Sequence, residues 1–331
     1  MIALHPLRSA GAILCFHGIT SQASPSRSDV HVPLGAFQSL IAAARQMGQL
    51  VRLRDLVRRN LAGRSTAGLI AVTVDDAYAS VLSEAADYLR REAIPLTAFV
   101  VTEAAHTGAA YWWDRIDDLF PWVPAERWRA LEDACGLPED YRKGQPARYG
   151  PLRPLRQWLL ATHKGRWPEE REALLASLEE EAGVRTRQRS MTFEELARLA
   201  AIPSVDLGVH TVSHSVLPLL PDAELTREIS SGYVTLRERF ANAVQILAVP
   251  FGLFDRRTVN AAREAGMMAS LTLAGTTLKR HGGRDDLPRF CISRDDTAWK
   301  LKLRLADALD WVNVWRRTLS PRYPPLPSPT T

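Results

Sequence analysis

Seven short, mostly apolar runs punctuate the chain: Ala12–Phe16, Gln49–Leu53, Leu69–Val74, Leu96–Val101, Val205–Val209, Val244–Val249 and Ala269–Leu273. Most are near-continuous rather than alternating, the pattern of strands buried on both faces. Between them the apolar spacing changes to three and four. Phe37, Leu40, Ile41, Ala44 and Met47 form one helical stripe, stopped by Gly48, and Val81, Ala85, Tyr88 and Leu89 form another. Thr192 and Glu195 make a capping box that opens a helix at Phe193. Leu225, Ile229, Leu236 and Phe240 mark a helix beginning near Asp222, and Val259 to Ala265 a helix ended by Gly266. Short buried strands alternating with helices predict an α/β fold with mostly parallel strands.

Residues 104–190 break this rhythm. They hold six of the nine tryptophans, many arginines and few strand signals, and Pro168 to Glu181 reads as a charged helix ending at Gly183. A mostly helical insertion within a unit spanning 1–319 is expected. The tail, 320–331, has five prolines in twelve residues and is expected to be extended.

With 46% hydrophobic and 24% charged residues, the composition is globular and excludes a mainly disordered chain. The net charge is +5, from 42 basic and 37 acidic residues. No nucleic-acid motif accompanies that thin excess, so nucleic acid is not an expected partner. Cys15, Cys135 and Cys291 are too sparse for a disulfide framework or a clustered zinc motif. Met1 to Ile19 lacks the order of a signal peptide. A cytoplasmic location is expected, with contact to a membrane surface left open.

Four short stretches carry candidate chemistry. Asp75 and Asp76 follow the apolar strand Leu69–Val74, at the end where α/β folds place their sites. One carboxylate can hold a metal while its neighbour takes a proton from water; the pair equally suits a helix N-cap. His210 and His214, four apart after another strand, would both point to one centre from a turn of helix, as zinc ligands do. Paired surface histidines are an equal alternative. With Asp76 they make a two-histidine, one-carboxylate set. Pro250-Phe251-Gly252 ends a third strand, either as a plain turn or as backbone N–H groups facing an oxyanion. His17 ends the first strand, where a structural histidine is the commoner case.

In this order, the four stretches resemble the polysaccharide deacetylase (NodB-homology) family, carbohydrate esterase family four, from about His17 to Asp295. The Asp-Asp-Gly motif matches Asp75-Asp76-Ala77. The His-(Ser/Thr)-x-x-x-His motif, in its variant with three intervening residues, matches His210 to His214. The Pro-(Tyr/Phe)-Gly loop matches Pro250 to Gly252. The resemblance implies a distorted (β/α)7 barrel and metal-dependent removal of acetyl groups from N-acetylated sugars. It makes Asp75 the general base and Asp76, His210 and His214 the metal ligands. Phe251 becomes the oxyanion donor, with Pro250 beside the substrate. The implied ion is zinc, with cobalt or nickel as substitutes. Ala77 replaces the usual glycine. Ala248 stands where many members have an arginine that orients the base, and Arg289 is the expected replacement. No late Leu-x-His motif supplies the acid, so Phe16-His17 makes His17 the expected acid, as in members with rearranged motif order.

Tyr111-Trp112-Trp113-Asp114-Arg115 adds flat rings and a charge pair within the insertion. Trp112 and Trp113 suit a sugar and Arg115 a phosphate or carboxylate; the alternative is that the rings anchor the insertion on the barrel. The expected partner is an N-acetylated glycan, or a lipid- or nucleotide-linked sugar precursor. Two rivals stand beside this reading: another metal-dependent amide hydrolase, opening cyclic imides or ureides, and a glycan-binding protein with a decayed site.

Overall fold

The computed structural model describes residues 10–21, 28–143, 152–278 and 285–306. Six strands alternate with helices: β1 (Ala12–Phe16), β2 (Leu69–Val74), β3 (Leu96–Val100), β4 (Val205–Val209), β5 (Ala243–Ala248) and β6 (Ala269–Thr272). Two further short strands, β7 (Leu287–Pro288) and β8 (Phe290–Cys291), are successive pieces of one extended segment. β7 pairs with β6, and β8 pairs with β1, in the register Leu14 to Phe290 and Cys15 to Cys291. The sheet order is β7-β6-β5-β4-β3-β2-β1-β8, and every pairing is parallel. One segment thus joins both ends of the sheet, which makes a distorted (β/α)7 barrel.

Side chains alternate across each strand, and the two sets part cleanly. One cluster gathers Ile13, Ala71, Phe99, Ile246, Ala248, Leu271 and Leu287. The other takes the alternate residues Ala12, Leu14, Phe16, Ile70, Val72 and Val74 with the helix residues Phe37, Leu40 and Ile41. Gly208 on β4 is required by packing, because a Cβ there would lie 2.4 Å from the Phe99 ring. Continued by two residues along each strand, the first set leads to Cys15 and His17, to Thr73 and Asp75, and to Arg289. Alternation alone therefore sends these groups to one mouth.

Between β3 and β4 lie the helices Trp112–Leu119, Ala125–Ala134, Arg153–Thr162, Glu172–Ala182 and Phe193–Ala200. The first four share a core of their own, including Trp112, Ile116, Trp128, Leu131, Leu159 and Leu175. The insertion is mostly helical, as expected.

Several expectations need correction. Only Gln49–Leu50 of the second apolar run is strand, and Leu53 opens a helix, Leu53–Leu61. Its buried Leu53, Leu56 and Val57 join the cluster of Ile13 and Ala71, so packing overrides the strand-like spelling. The stripe from Val81 begins as a π-helical turn, Val81–Ala85, before Ala86–Arg91 continues it. The helix Asp222–Arg239 stops one residue before Phe240. Strands β7 and β8 carry no sequence signal, being two residues each around Arg289. The proline-rich tail lies outside the described residues. Among those described, no helix is long and apolar enough to cross a membrane.

Candidate active site

The site begins where β2 ends. The Asp75 N–H donates to the Phe16 carbonyl at 2.9 Å, which ties the end of β2 to the end of β1. Asp76 and Ala77 then turn sharply, with φ of 64° and 45°. Left-handed backbone costs roughly 1–2 kcal/mol for a residue with a Cβ. Ala77 thus adopts the glycine-like conformation that the motif's usual residue would favour. The Tyr111 hydroxyl donates to the Asp76 carbonyl at 2.8 Å, and the Met191 N–H donates to the Ala77 carbonyl at 2.9 Å. These bonds hold the turn and expose its two carboxylates differently.

The Asp75 carboxylate meets Arg289. Nη1 donates to Oδ1 at 2.6 Å and Nη2 to Oδ2 at 2.8 Å, a bidentate pair inside the barrel. Arg289 is completely buried. The Cys15 thiol adds a contact to Asp75 Oδ2 at 3.3 Å. Burial would raise the Asp75 pKa, but the charges of Arg289 and His210 prevail and lower it to about 2. Asp75 is therefore ionised throughout the physiological range. Arg289 thus meets the Asp75 carboxylate directly, while the small Ala248 belongs to the inward-facing cluster.

The Asp76 carboxylate faces the histidines. Its Oδ1 lies 3.4 Å from His210 Nε2 and 3.2 Å from His214 Nε2, and the two nitrogens are 3.2 Å apart. These donors form a nearly equilateral triangle, all three residues buried. Donors about 2.0–2.1 Å from one tetrahedral zinc are spaced by roughly 3.3 Å, so the triangle fits such an ion. His210 Nδ1 lies 2.8 Å from the Ala248 carbonyl, a bond that fixes its ring and directs the Nε2 lone pair to the centre. Asp76 Oδ1 finds no ordinary hydrogen-bond donor, a cost that a cation would remove. Burial opposes the Asp76 charge, yet His214 and His210 hold its pKa well below the usual range.

His210 and His214 do not share a helical turn. They sit on a loop after β4 in which Thr211 and His214 have φ of 67° and 58°. The Thr211 hydroxyl accepts from the His214 N–H at 3.0 Å and closes the loop on itself. Convergence comes from this irregular backbone, which spacing alone does not reveal.

His17 joins from β1. The ligand atoms of Cys15, His17 and Asp75 all lie within 4.8 Å of one another, and His17 Nδ1 is buried without a hydrogen-bond partner. Pro250 to Gly252 forms a turn in which Phe251 has φ of 57°. The Phe251 ring packs edge-on against His214, with centroids 4.6 Å apart.

The insertion supplies the outer wall. Trp113 stacks on Tyr111 at 4.7 Å and lies 4.8 Å from the His214 ring. A buried relay holds it: the Trp113 Nε1–H donates to the Tyr78 hydroxyl at 3.0 Å, Tyr78 donates to Asp114 at 2.6 Å, and His31 Nε2 lies 2.7 Å from the other Asp114 oxygen. A cavity of about 230 Å³ opens beside His214, bordered by Glu103, Trp112, Trp113, Arg166, Trp167 and Ser213 among others. Trp112 also belongs to the insertion core, and its Nε1–H donates to the Gly165 carbonyl at 2.9 Å. Arg115 is engaged elsewhere. Its guanidinium forms a fork with Glu179 at 2.8–2.9 Å and reaches Glu172. The expected charge pair with a substrate anion is thus replaced by a clasp between two insertion helices. Asp114 faces His31 and Tyr78 rather than Arg115.

The polysaccharide deacetylase family model matches residues 174–270, the stretch that contains His210, His214 and Pro250 to Gly252. The resemblance to the polysaccharide deacetylase family holds. The fold is that of solved deacetylases as well. The Streptococcus pyogenes deacetylase PplD, in complex with acetate, superposes with a TM-score of 0.57 at 12% identity, over 91% of this chain and 99% of that one. IcaB from Ammonifex degensii gives 0.56 at 17% identity, over 91% and 99%. The de-N-acetylase from Aggregatibacter actinomycetemcomitans gives 0.55 at 12%, over 89% and 99%. At these identities the shared property is the deacetylase barrel. No curated protein matches the sequence.

Glu228 escapes motif reading altogether, and the aromatic stretch shows Tyr111 and Asp114 without the bonds they make at the site. Asp114 and Glu228 share one usable signal. Each is a carboxylate on the buried face of its helix, beside Trp112 and Ile116 or beside Leu225 and Ile229. A buried carboxylate requires partners, and here the partners are parts of the site.

Proposed function

We propose that the chain is a metal-dependent N-deacetylase acting on an N-acetylated sugar, in a glycan or in a lipid- or nucleotide-linked precursor. The observation that supports it most is the pairing of two different carboxylates in one mouth. Asp76 converges with two imidazoles, while Asp75 is kept ionised by Arg289 and remains next to them. Asp76, His210 and His214 would hold the divalent ion, zinc in the first instance. When bound, that ion supplies Lewis acidity toward the acetamide carbonyl and a lowered pKa for water.

The remaining chemistry belongs to the chain's own residues. Asp75 takes the proton from the attacking water, and the Arg289 fork keeps its carboxylate in one orientation. The Phe251 N–H donates to the developing oxyanion. A sugar amine leaves poorly until protonated, so His17 gives it a proton. Pro250 and Trp113 form the wall against which the sugar ring rests.

Trp112 and Trp113 separate by their effects. Trp113→Ala should raise KM for N-acetylglucosamine oligomers several-fold with a modest loss of stability, because Trp113 is half-buried beside His214. Trp112→Ala should instead destabilise the insertion by about 3–5 kcal/mol, as removal of a buried indole does. Steady-state kinetics with thermal denaturation of both variants checks this; an unchanged KM in folded Trp113→Ala contradicts the sugar wall. A substrate panel tests the class. Acetate release from N-acetyl sugars supports the reading, and turnover confined to cyclic imides replaces it with the other amide hydrolase.

A further inference from the structure

The loop that carries His214 is costly in itself, because Thr211 and His214 both occupy left-handed backbone without being glycine. Such a loop persists only when its surroundings determine it. One buried carboxylate takes three hydrogen bonds from this loop. Glu228, 2% exposed on the helix Asp222–Arg239, accepts from the Val212 N–H at 3.0 Å and the Ser213 N–H at 2.9 Å through Oε2. Its Oε1 accepts from the Ser213 hydroxyl at 2.7 Å and from Arg166 Nη2 at 3.1 Å. One turn along the same helix, Gly232 lets the loop approach, since a Cβ there would lie 3.3 Å from the Thr211 backbone. The helix therefore presents a tailored face to the loop: a gap at Gly232 and an anion at Glu228.

The cation opposite Glu228 comes from the insertion. Arg166 also donates from Nε to the Ser215 hydroxyl at 2.6 Å, and Ser215 lies 2.7 Å from Ser213. Arg166, Ser213 and His214 all border the cavity beside the site.

We infer that Glu228 is a positioning residue for His214, fixed in turn by Arg166, so that the insertion sets the geometry of the metal triangle through this pair. The inference rests on the proposed metal-binding role of Asp76, His210 and His214. Its physical basis is the count of acceptors. Two N–H groups, one hydroxyl and one guanidinium meet both oxygens of a single carboxylate. A glutamine of the same shape offers only one acceptor oxygen, so one half of that network must break.

The test compares wild type with Glu228→Gln, both prepared metal-free. Zinc affinity is measured by competition with a chromophoric chelator, and amide hydrogen exchange is followed at Val212 and Ser213. The zinc dissociation constant should rise by about 10–100-fold, the range for lost outer partners of metal ligands. Exchange at Val212 and Ser213 should quicken at least about tenfold relative to the β4 amides, because both N–H groups lose a charged acceptor. A folded Glu228→Gln with the wild-type zinc constant overturns the inference. Failure of wild type to bind zinc would sink the metal reading instead, and the exchange rates then decide alone, with unchanged exchange at Val212 and Ser213 overturning it. Should Glu228→Gln not fold, Ser213→Ala removes the hydroxyl bonds to Glu228 and Ser215 and leaves the Ser213 N–H to Glu228 in place. A several-fold weaker zinc constant in that variant supports the inference, and the wild-type constant overturns it.

Discussion

Replacing Arg289 with methionine should nearly abolish activity and destabilise the fold by about 3–5 kcal/mol, because it leaves the Asp75 charge buried without its partner. Asp75 shows the sign of the accompanying pH effect. Its ordinary pKa is 3.8, and the folded protein lowers it to about 2. A depressed carboxylate stabilises the fold above its unfolded pKa, and that contribution is lost as pH falls toward the folded value. For this shift it amounts to about 2–3 kcal/mol at neutral pH. Removing Arg289 takes away the largest influence that lowers the Asp75 pKa and leaves burial, which raises it, less opposed. The acid limb of the kcat/KM profile should then move upward. Urea unfolding at pH 7 and a pH–rate profile check both parts. An unchanged acid limb in a folded Arg289→Met would contradict the assignment of Asp75 as base.

His17→Gln should lower kcat on an N-acetyl sugar by about 10²–10⁴-fold, the usual value of a general acid. The same variant should lose far less on an activated ester such as 4-nitrophenyl acetate. A nitrophenolate leaves without a proton, whereas a sugar amine does not. His17 Nδ1 is buried with no hydrogen-bond partner among the described residues, so no structural bond claims that nitrogen. Equal losses on amide and ester would remove the acid role and leave His17 a packing residue.

The barrel was legible because strands buried on both faces spell themselves as apolar runs, and β1, β2 and β4 fall on the expected residues. The closing strands were not, because each is two residues long and β7 ends on a proline. Asp75 and Asp76 were visible as a pair, but their different surroundings come from partners over a hundred residues away. Arg289 lies 214 positions from Asp75, and His210 and His214 approach Asp76 from a loop whose left-handed backbone no spacing rule encodes. Spacing suggested a helical turn for those histidines, and the structure reaches convergence by another route. Arg115 looked like an anion receptor in isolation, but the insertion's own glutamates claim it. Periodicity reports what an element buries; it does not report which distant charge it meets.

The most direct measurement is acetate release from N-acetylglucosamine oligomers by wild type and Asp75→Asn, after chelation and after adding back zinc or cobalt. The account predicts release by wild type that chelation stops and the metal restores, and none above background from Asp75→Asn under any condition. Release that persists through chelation, or that survives in Asp75→Asn, would contradict it.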